Sequence, residues 1–190
     1  TKKETDWVFD TPTQKMVQKE VLYNEGLVKT IFEVIDNAVD NSKRKDDPTT
    51  TIKVSMNEDT IIVTNDGHGI PIECADLGNG QQMYIPTTIF GVPMSGSNFN
   101  ENRDGTIGMN GLGVKLTNIL SKEFKLICIT GDKKFKQVWK NNMKVRSKEI
   151  VTKAPPSSTF STSVTFTPDL DYFNSKDDQY KIDNLSVIED

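Results

Sequence analysis

The sequence predicts an α+β fold in which one mostly antiparallel sheet is covered on one face by helices. Three observations predict it. An amphipathic helical segment comes early, a series of β-rich segments with short connections comes late, and a glycine-dense stretch lies between the two halves.

From residue 25 to about residue 45 the apolar side chains Leu27, Ile31, Val34, Ile35 and Ala38 recur at helical spacing, uninterrupted by proline or glycine after Gly26. Lys43, Arg44 and Lys45 and then Pro48 close this helix, because cations suit a helix C-terminus and proline cannot continue the hydrogen-bond ladder. Residues 51–56 and 60–64 read as a hairpin around Asn57-Glu58-Asp59, and Asn65-Asp66-Gly67-His68-Gly69-Ile70-Pro71 ends its second strand. A short helix is expected over 86–90. Residues 91–113 hold six of the twelve glycines, which predicts a long, mobile loop. A second short helix follows over 112–120, then strands over 123–130, 135–140, 145–152 and 163–166. Residues 152–162, with Pro155-Pro156, read as a loop and not a domain boundary, so all of 1–190 is taken as one domain.

Composition narrows the function classes. Charged residues are 26% of the chain and the formal net charge is −4, without the basic excess of a module that grips nucleic acid by its phosphates. Duplex DNA is therefore not an obvious direct ligand of this segment. Cys74 and Cys128 have no neighbours at metal-ligand spacing, which argues against disulfide frameworks and zinc sites and for a reducing compartment. No apolar run approaches the roughly 20 residues that span a bilayer, so an intracellular protein without membrane contact is expected.

Three stretches carry candidate chemistry. On the first helix Glu33, Asn37, Asp40, Asn41 and Arg44 fall within roughly 100° of arc, beside the apolar stripe. A solvated helix face explains this pattern. So does a ligand site: asparagines are mediocre helix formers, and a carboxylate one turn from a neutral amide can polarise water while the amide offers oxygen to a hard cation. The turn at 65–69 is either plain strand-to-loop chemistry or a place where Gly67 and Gly69 let another group approach the backbone. His68, the only histidine, has no partner at telling spacing and reads as a loop residue. Gly108-Met109-Asn110-Gly111-Leu112-Gly113-Val114-Lys115 places glycines before a helix whose N–H groups, with Lys115, suit phosphate oxygens. It is neither a Walker A loop nor a dinucleotide fingerprint.

In this order the three stretches resemble the GHKL ATPase superfamily, which contains DNA gyrase B-type subunits, Hsp90, MutL and histidine kinases. Residues 31–41, Tyr84-Ile85-Pro86, Ile89-Phe90-Gly91, Ser95-Gly96-Ser97-Asn98-Phe99 and 110–116 are similar to the eukaryotic, viral and large-phage type IIA topoisomerases. Phe135-Lys136-Gln137-Val138-Trp139, Asn142-Met143 and 166–170 continue the likeness, which covers roughly 7–170. The resemblance implies the GHKL, or Bergerat, two-layer sandwich and an ATP-hydrolysing module with Mg2+ as cofactor. By it Glu33 is the general base, Asn37 the Mg2+ ligand, and Asn65 the residue at the adenine end. Asn41, Arg44, Gly69, Ile70, Gly96, Ser97, Asn98, Gly108, Met109, Asn110, Gly111, Leu112, Gly113, Val114 and Lys115 complete the nucleotide site. The implied partners are ATP, a second copy in the full-length enzyme, and duplex DNA through other domains of that enzyme.

Met109 and His68 depart from the residues common in nuclear enzymes and point to a viral, phage or divergent protist source. The location expected is then the host cell, or the nucleus for a cellular eukaryote. An exchanged N-terminal strap, a transducer with its phosphate-sensing lysine and a DNA-cleaving tyrosine are not read in the chain, so slow hydrolysis and no DNA cleavage are expected. Two other readings stay open: a non-hydrolysing, nucleotide-gated dimerisation module, and an Hsp90-like or MutL-like ATPase.

Overall fold

The protein's structure, a computed structural model, describes residues 2–57, 59–76, 80–92 and 112–173. In chain order these form strands β1 (Lys2–Asp10) and β2 (Lys15–Tyr23), helix α1 (Glu25–Ser42), and strands β3 (Ile52–Met56), β4 (Ile61–Asn65), β5 (Cys74–Asp76) and β6 (Gln82–Tyr84). Helices α2 (Ile85–Gly91) and α3 (Gly113–Ile119) come next. Strands β7 (Ser121–Thr130), β8 (Lys133–Lys140), β9 (Val145–Arg146), β10 (Ile150–Lys153) and β11 (Thr162–Pro168) and a 3-10 turn at Leu170–Tyr172 complete the fold.

Helix α1 begins where Asn24 accepts a hydrogen bond from the Leu27 amide at 3.2 Å, satisfying one of the orphan donors of the first turn. The Asn24 amide also donates to the Phe173 carbonyl at 2.5 Å, which ties the helix start to the 3-10 turn. The helix stops at Ser42, three residues before the expected end. The Lys43 and Arg44 amides reach back only three residues, to Asp40 and Asn41, and Asp47 at φ 51° reverses the chain.

The main sheet runs β10-β8-β7-β11-β4-β3, with β9 also on β8, and every described pairing in it is antiparallel. The expected 51–64 hairpin is β3 and β4. The single strand expected over 145–152 is two. Ser147 accepts the Val138 amide on its hydroxyl at 3.1 Å and donates its own amide to the Val138 carbonyl at 2.8 Å, and this local exchange separates β9 from β10. The β1–β2 hairpin and the β5–β6 pair lie outside the sequence reading; both are two-stranded, and their mixture of charged and apolar side chains has no clean period.

One core lies between the helices and the sheet. Ile31 and Val34 of α1, Phe90 of α2 and Val114 of α3 pack on Ile61, Val63, Phe124, Leu126, Phe135, Trp139, Val164 and Phe166. Phe124 sits at its centre, stacked on Phe166 at 6.2 Å and edge-on to Trp139 at 5.9 Å. Burial of each such side chain contributes about 1.5–3 kcal/mol, and this apolar layer holds α1 against the sheet with its polar stripe beside the core.

Candidate functional site

A cavity of about 330 Å3 opens between α1 and the end of the sheet. Asn37, Asp40, Asn41 and Arg44 form its α1 side, Asn65, His68, Gly69 and Ile70 its far wall, and Val63, Thr162 and Val164 its floor; Ile89 and Phe90 of α2 close it. The polar stripe of α1 is thus a cavity wall and not an idle solvated face. Arg44 arrives from beyond the helix end.

The far wall is held by one hydroxyl. Thr49 Oγ1 accepts from Asn41 Nδ2 at 2.8 Å and from Asn65 Nδ2 at 3.2 Å, and donates to the Asp66 carbonyl at 2.9 Å. Asn41 Nδ2 also donates to the His68 carbonyl at 3.0 Å, and Asn65 Nδ2 to the Asp66 carbonyl at 2.9 Å. Both donors of the buried Asn65 amide are engaged inside the protein, so what it can offer a ligand is its Oδ1 acceptor. Asp66 works on the other side of the turn. Its carboxylate receives the Thr50 hydroxyl at 2.7 Å and the Thr50 and Thr51 amides at 2.8 Å each. These bonds favour the charged form and lower its pKa to about 2.

The two glycines of the turn serve internal packing. Gly67 has φ +80°, and a Cβ there would stand 2.6 Å from the Thr49 amide nitrogen. A Cβ on Gly69 would collide with the Ile129 carbonyl and the Thr130 hydroxyl, which itself donates to the Ile70 carbonyl at 2.7 Å. The close neighbour of each glycine is this chain's own backbone, although Gly69 still lines the cavity.

Glu33 is one turn before Asn37 on α1 and is not among the residues that line the cavity. Its Oε1 meets the Lys29 ammonium at 2.8 Å, and this pairing raises the Lys29 pKa. Its Oε2 packs so tightly over Gly113 that any Cβ there would overlap it. Asn37 Nδ2 donates to the Glu33 backbone carbonyl at 2.6 Å, which leaves Asn37 Oδ1 as a free acceptor on an exposed side chain. Val114 faces the core. Lys115, which the sequence reading had adding charge for phosphate oxygens, is 3% exposed, and burial lowers its pKa. Leu112 is exposed. Gly96, Ser97, Asn98, Gly108, Met109, Asn110 and Gly111, with the expected mobile loop, lie outside the described residues.

The sequence reading missed Thr162, Val63, Val164 and Ile89. Thr162 pairs with Asn65 across β11 and β4 and so reaches the same wall. Its inward alternation with Val164 and Phe166 was readable, but its neighbour was not, because a separation of 97 positions is closed only by the sheet.

Three comparisons agree on kinship. Residues 23–171 match the family described as histidine kinase-, DNA gyrase B-, and HSP90-like ATPase. The chain is 39% identical over 176 residues to DNA topoisomerase 2 of Arabidopsis thaliana, covering 90% of this chain and 12% of that protein. It is 38% identical over 185 residues to DNA topoisomerase 2 of Saccharomyces cerevisiae, covering 93% of this chain and 12% of the relative. The ATPase and transducer domains of DNA topoisomerase II from Balamuthia mandrillaris superpose with a TM-score of 0.82 at 35% identity, over 98% of this chain and 48% of that one. The described strands and helices match this fold, as the α+β reading required. The chain thus belongs to the histidine kinase-, DNA gyrase B-, and HSP90-like ATPases, and within them it is homologous to the ATPase region of type II DNA topoisomerases.

Proposed function

We propose that this nucleotide-binding domain binds and hydrolyses MgATP in a type II DNA topoisomerase, and that nucleotide binding closes a gate between two copies so that a duplex can be passed. The observation that carries the reading is that α1 supplies Asn37 and Asn41, and the residues just past its end supply Arg44, to the wall of a cavity whose opposite wall includes Asn65, with Glu33 one helical turn before Asn37. Asn65 Oδ1 takes an amino hydrogen of the base. Gly69, Ile70 and Thr162 pack around the base, and Glu33 removes the proton of the attacking water. Little covalent chemistry is asked of the protein, so placement of water and of charge does most of the work.

The residues present fit Mg2+ in one way. No group of three or more His, Cys, Asp or Glu converges among the described residues, so a cage built from such side chains is not what holds it. A single amide oxygen, Asn37 Oδ1, suits an ion that keeps several waters and takes its other ligands from phosphate. When bound, Mg2+ supplies neutralisation of phosphate charge. We place the protein inside the cell, in the nucleus or in a host.

The test is Glu33→Gln, with nucleotide binding measured by titration and turnover by phosphate release. Binding stays within about threefold while hydrolysis falls by a hundredfold or more, because a base is felt in the transition state and not in the ground state. Equal loss of both removes Glu33 from this role. One observation favours the non-hydrolysing gate as a second reading: the Lys29 ammonium already occupies one oxygen of Glu33. Absence of turnover in the unmodified protein, with intact nucleotide binding, selects that reading.

A further inference from the structure

Sorting strand residues by face gives the mildly acidic chain a basic side. The helix-covered face of the sheet holds the core. On the opposite face β7 and β8 set Lys125 against Val138, Ile127 against Lys136, Ile129 against Lys134 and Glu123 against Lys140. In this register Lys125 has Lys136 and Lys140 as diagonal neighbours, about 7–8 Å away, and Lys134 stands two positions from Lys136 along β8. At the far edge β3 presents Lys53 opposite Thr64. Between the basic ends, β11 and β4 present the half-buried Thr165, Thr167 and Thr64, with Ser163 on the same side but buried.

The charges on this face are hardly balanced. Among its described strand residues the one acid is Glu123, and it is held by Lys140 at 2.8 Å. Lys125, Lys134 and Lys136 make no ion pair with a described residue. Neither core cluster reaches this side, so packing does not demand the lysines. Like charges at this spacing repel, and without a partner they weaken the sheet. Half-buried Ile127, Ile129 and Val138 lie among them, so the methylene stems rest on apolar surface and the ammonium groups stay in water.

We propose that this open face of the sheet binds the phosphate backbone of duplex DNA, without regard to base sequence. Lysines supply the counterion-releasing charge, and threonine hydroxyls are ordinary phosphate donors. The described strand residues of this face include no aromatic ring on which an unpaired base could stack, which favours a duplex over a single strand. From Lys53 to Lys136 is four strand spacings, about 19 Å, and this exceeds the roughly 12 Å of a major groove. Phosphates on both sides of one groove therefore come within reach. The choice of DNA among polyanions rests on the topoisomerase reading; the basic face itself does not.

The experiment follows fluorescence anisotropy of a labelled duplex of roughly 30 base pairs with the whole chain, across a salt series. The expected log–log salt slope is about −3, from three or four neutralised phosphates. Lys125→Gln/Lys134→Gln/Lys136→Gln weakens binding at least tenfold and reduces the slope by about one for each lysine removed. The Lys→Arg version of the same triple change retains it, and binding of a non-hydrolysable ATP analogue, unchanged in both, reports intact folding. Absence of duplex binding at low salt, or equal binding by the Gln triple variant, overturns the proposal. So does tighter, lysine-dependent binding to phosphatidylserine vesicles or to an acidic peptide. None of these outcomes alters the Glu33 test, so the two readings fail separately.

Discussion

At the scale of single residues, the site assigns different chemistry to two asparagines that the sequence presents alike. Asn37 has its amide nitrogen on the Glu33 carbonyl and its oxygen free, whereas Asn65 is locked into the Thr49 network. Asn37→Ala should weaken binding of MgATP by about tenfold and of metal-free nucleotide far less, because it removes the proposed oxygen ligand of a metal. Asn65→Ala should weaken ATP and adenosine alike, by a similar factor, since it removes one acceptor and leaves Thr49 with a lost partner. Calorimetric titration with and without Mg2+ separates them; parallel losses in both variants would mean that metal end and base end are misassigned. The helical spacing of Glu33, Asn37, Asn41 and Arg44 already marked the stripe. Which atoms of the stripe are free was not legible, because the partners come from 49 and 65–68, brought alongside by the sheet.

At the scale of elements, glycines decide how closely pieces approach. Gly69 lies against the end of β7, and Gly113 lies under the Glu33 carboxylate at the meeting of α1 and α3. Gly69→Ala must push back a strand's backbone, so we expect a loss of stability of about 1–3 kcal/mol, seen as an earlier urea midpoint. Gly113→Ala meets the far end of a side chain that can swing away. It should leave the urea midpoint nearly unchanged and reduce ATP turnover at least tenfold, because Glu33 is displaced from its station. A variant that keeps full turnover would show that the carboxylate's seat over α3 is irrelevant to hydrolysis. Glycine content and turn chemistry were visible in the sequence. That the neighbour of Gly69 is Ile129 and Thr130, and not a ligand, follows only from the β7–β11–β4 order.

At the scale of the whole molecule, the chain spans 12% of the length of the Arabidopsis thaliana and Saccharomyces cerevisiae relatives and 48% of the Balamuthia mandrillaris ATPase and transducer structure. Lys115 is the lysine nearest the proposed phosphate end in sequence, and charge developing on the transferring phosphoryl calls for a further cation besides it. This chain should therefore turn over ATP on the order of a hundredfold more slowly per site than the ATPase and transducer domains of the Balamuthia mandrillaris relative. Phosphate release compared across protein concentrations checks it. Equal rates without concentration dependence would make the chain a self-sufficient ATPase. The sequence by itself determined the α+β class, the amphipathic α1, the β3–β4 hairpin and the residue types of the site, because periodicity, turn chemistry and spacing along one helix are local. Tertiary structure decided which of those side chains meet: Thr162 beside Asn65, Glu33 over Gly113, Lys115 inside, and the lysines of β3, β7 and β8 on one open face. Strand order and register are settled by contacts between residues far apart in the chain, so no window of sequence contains them.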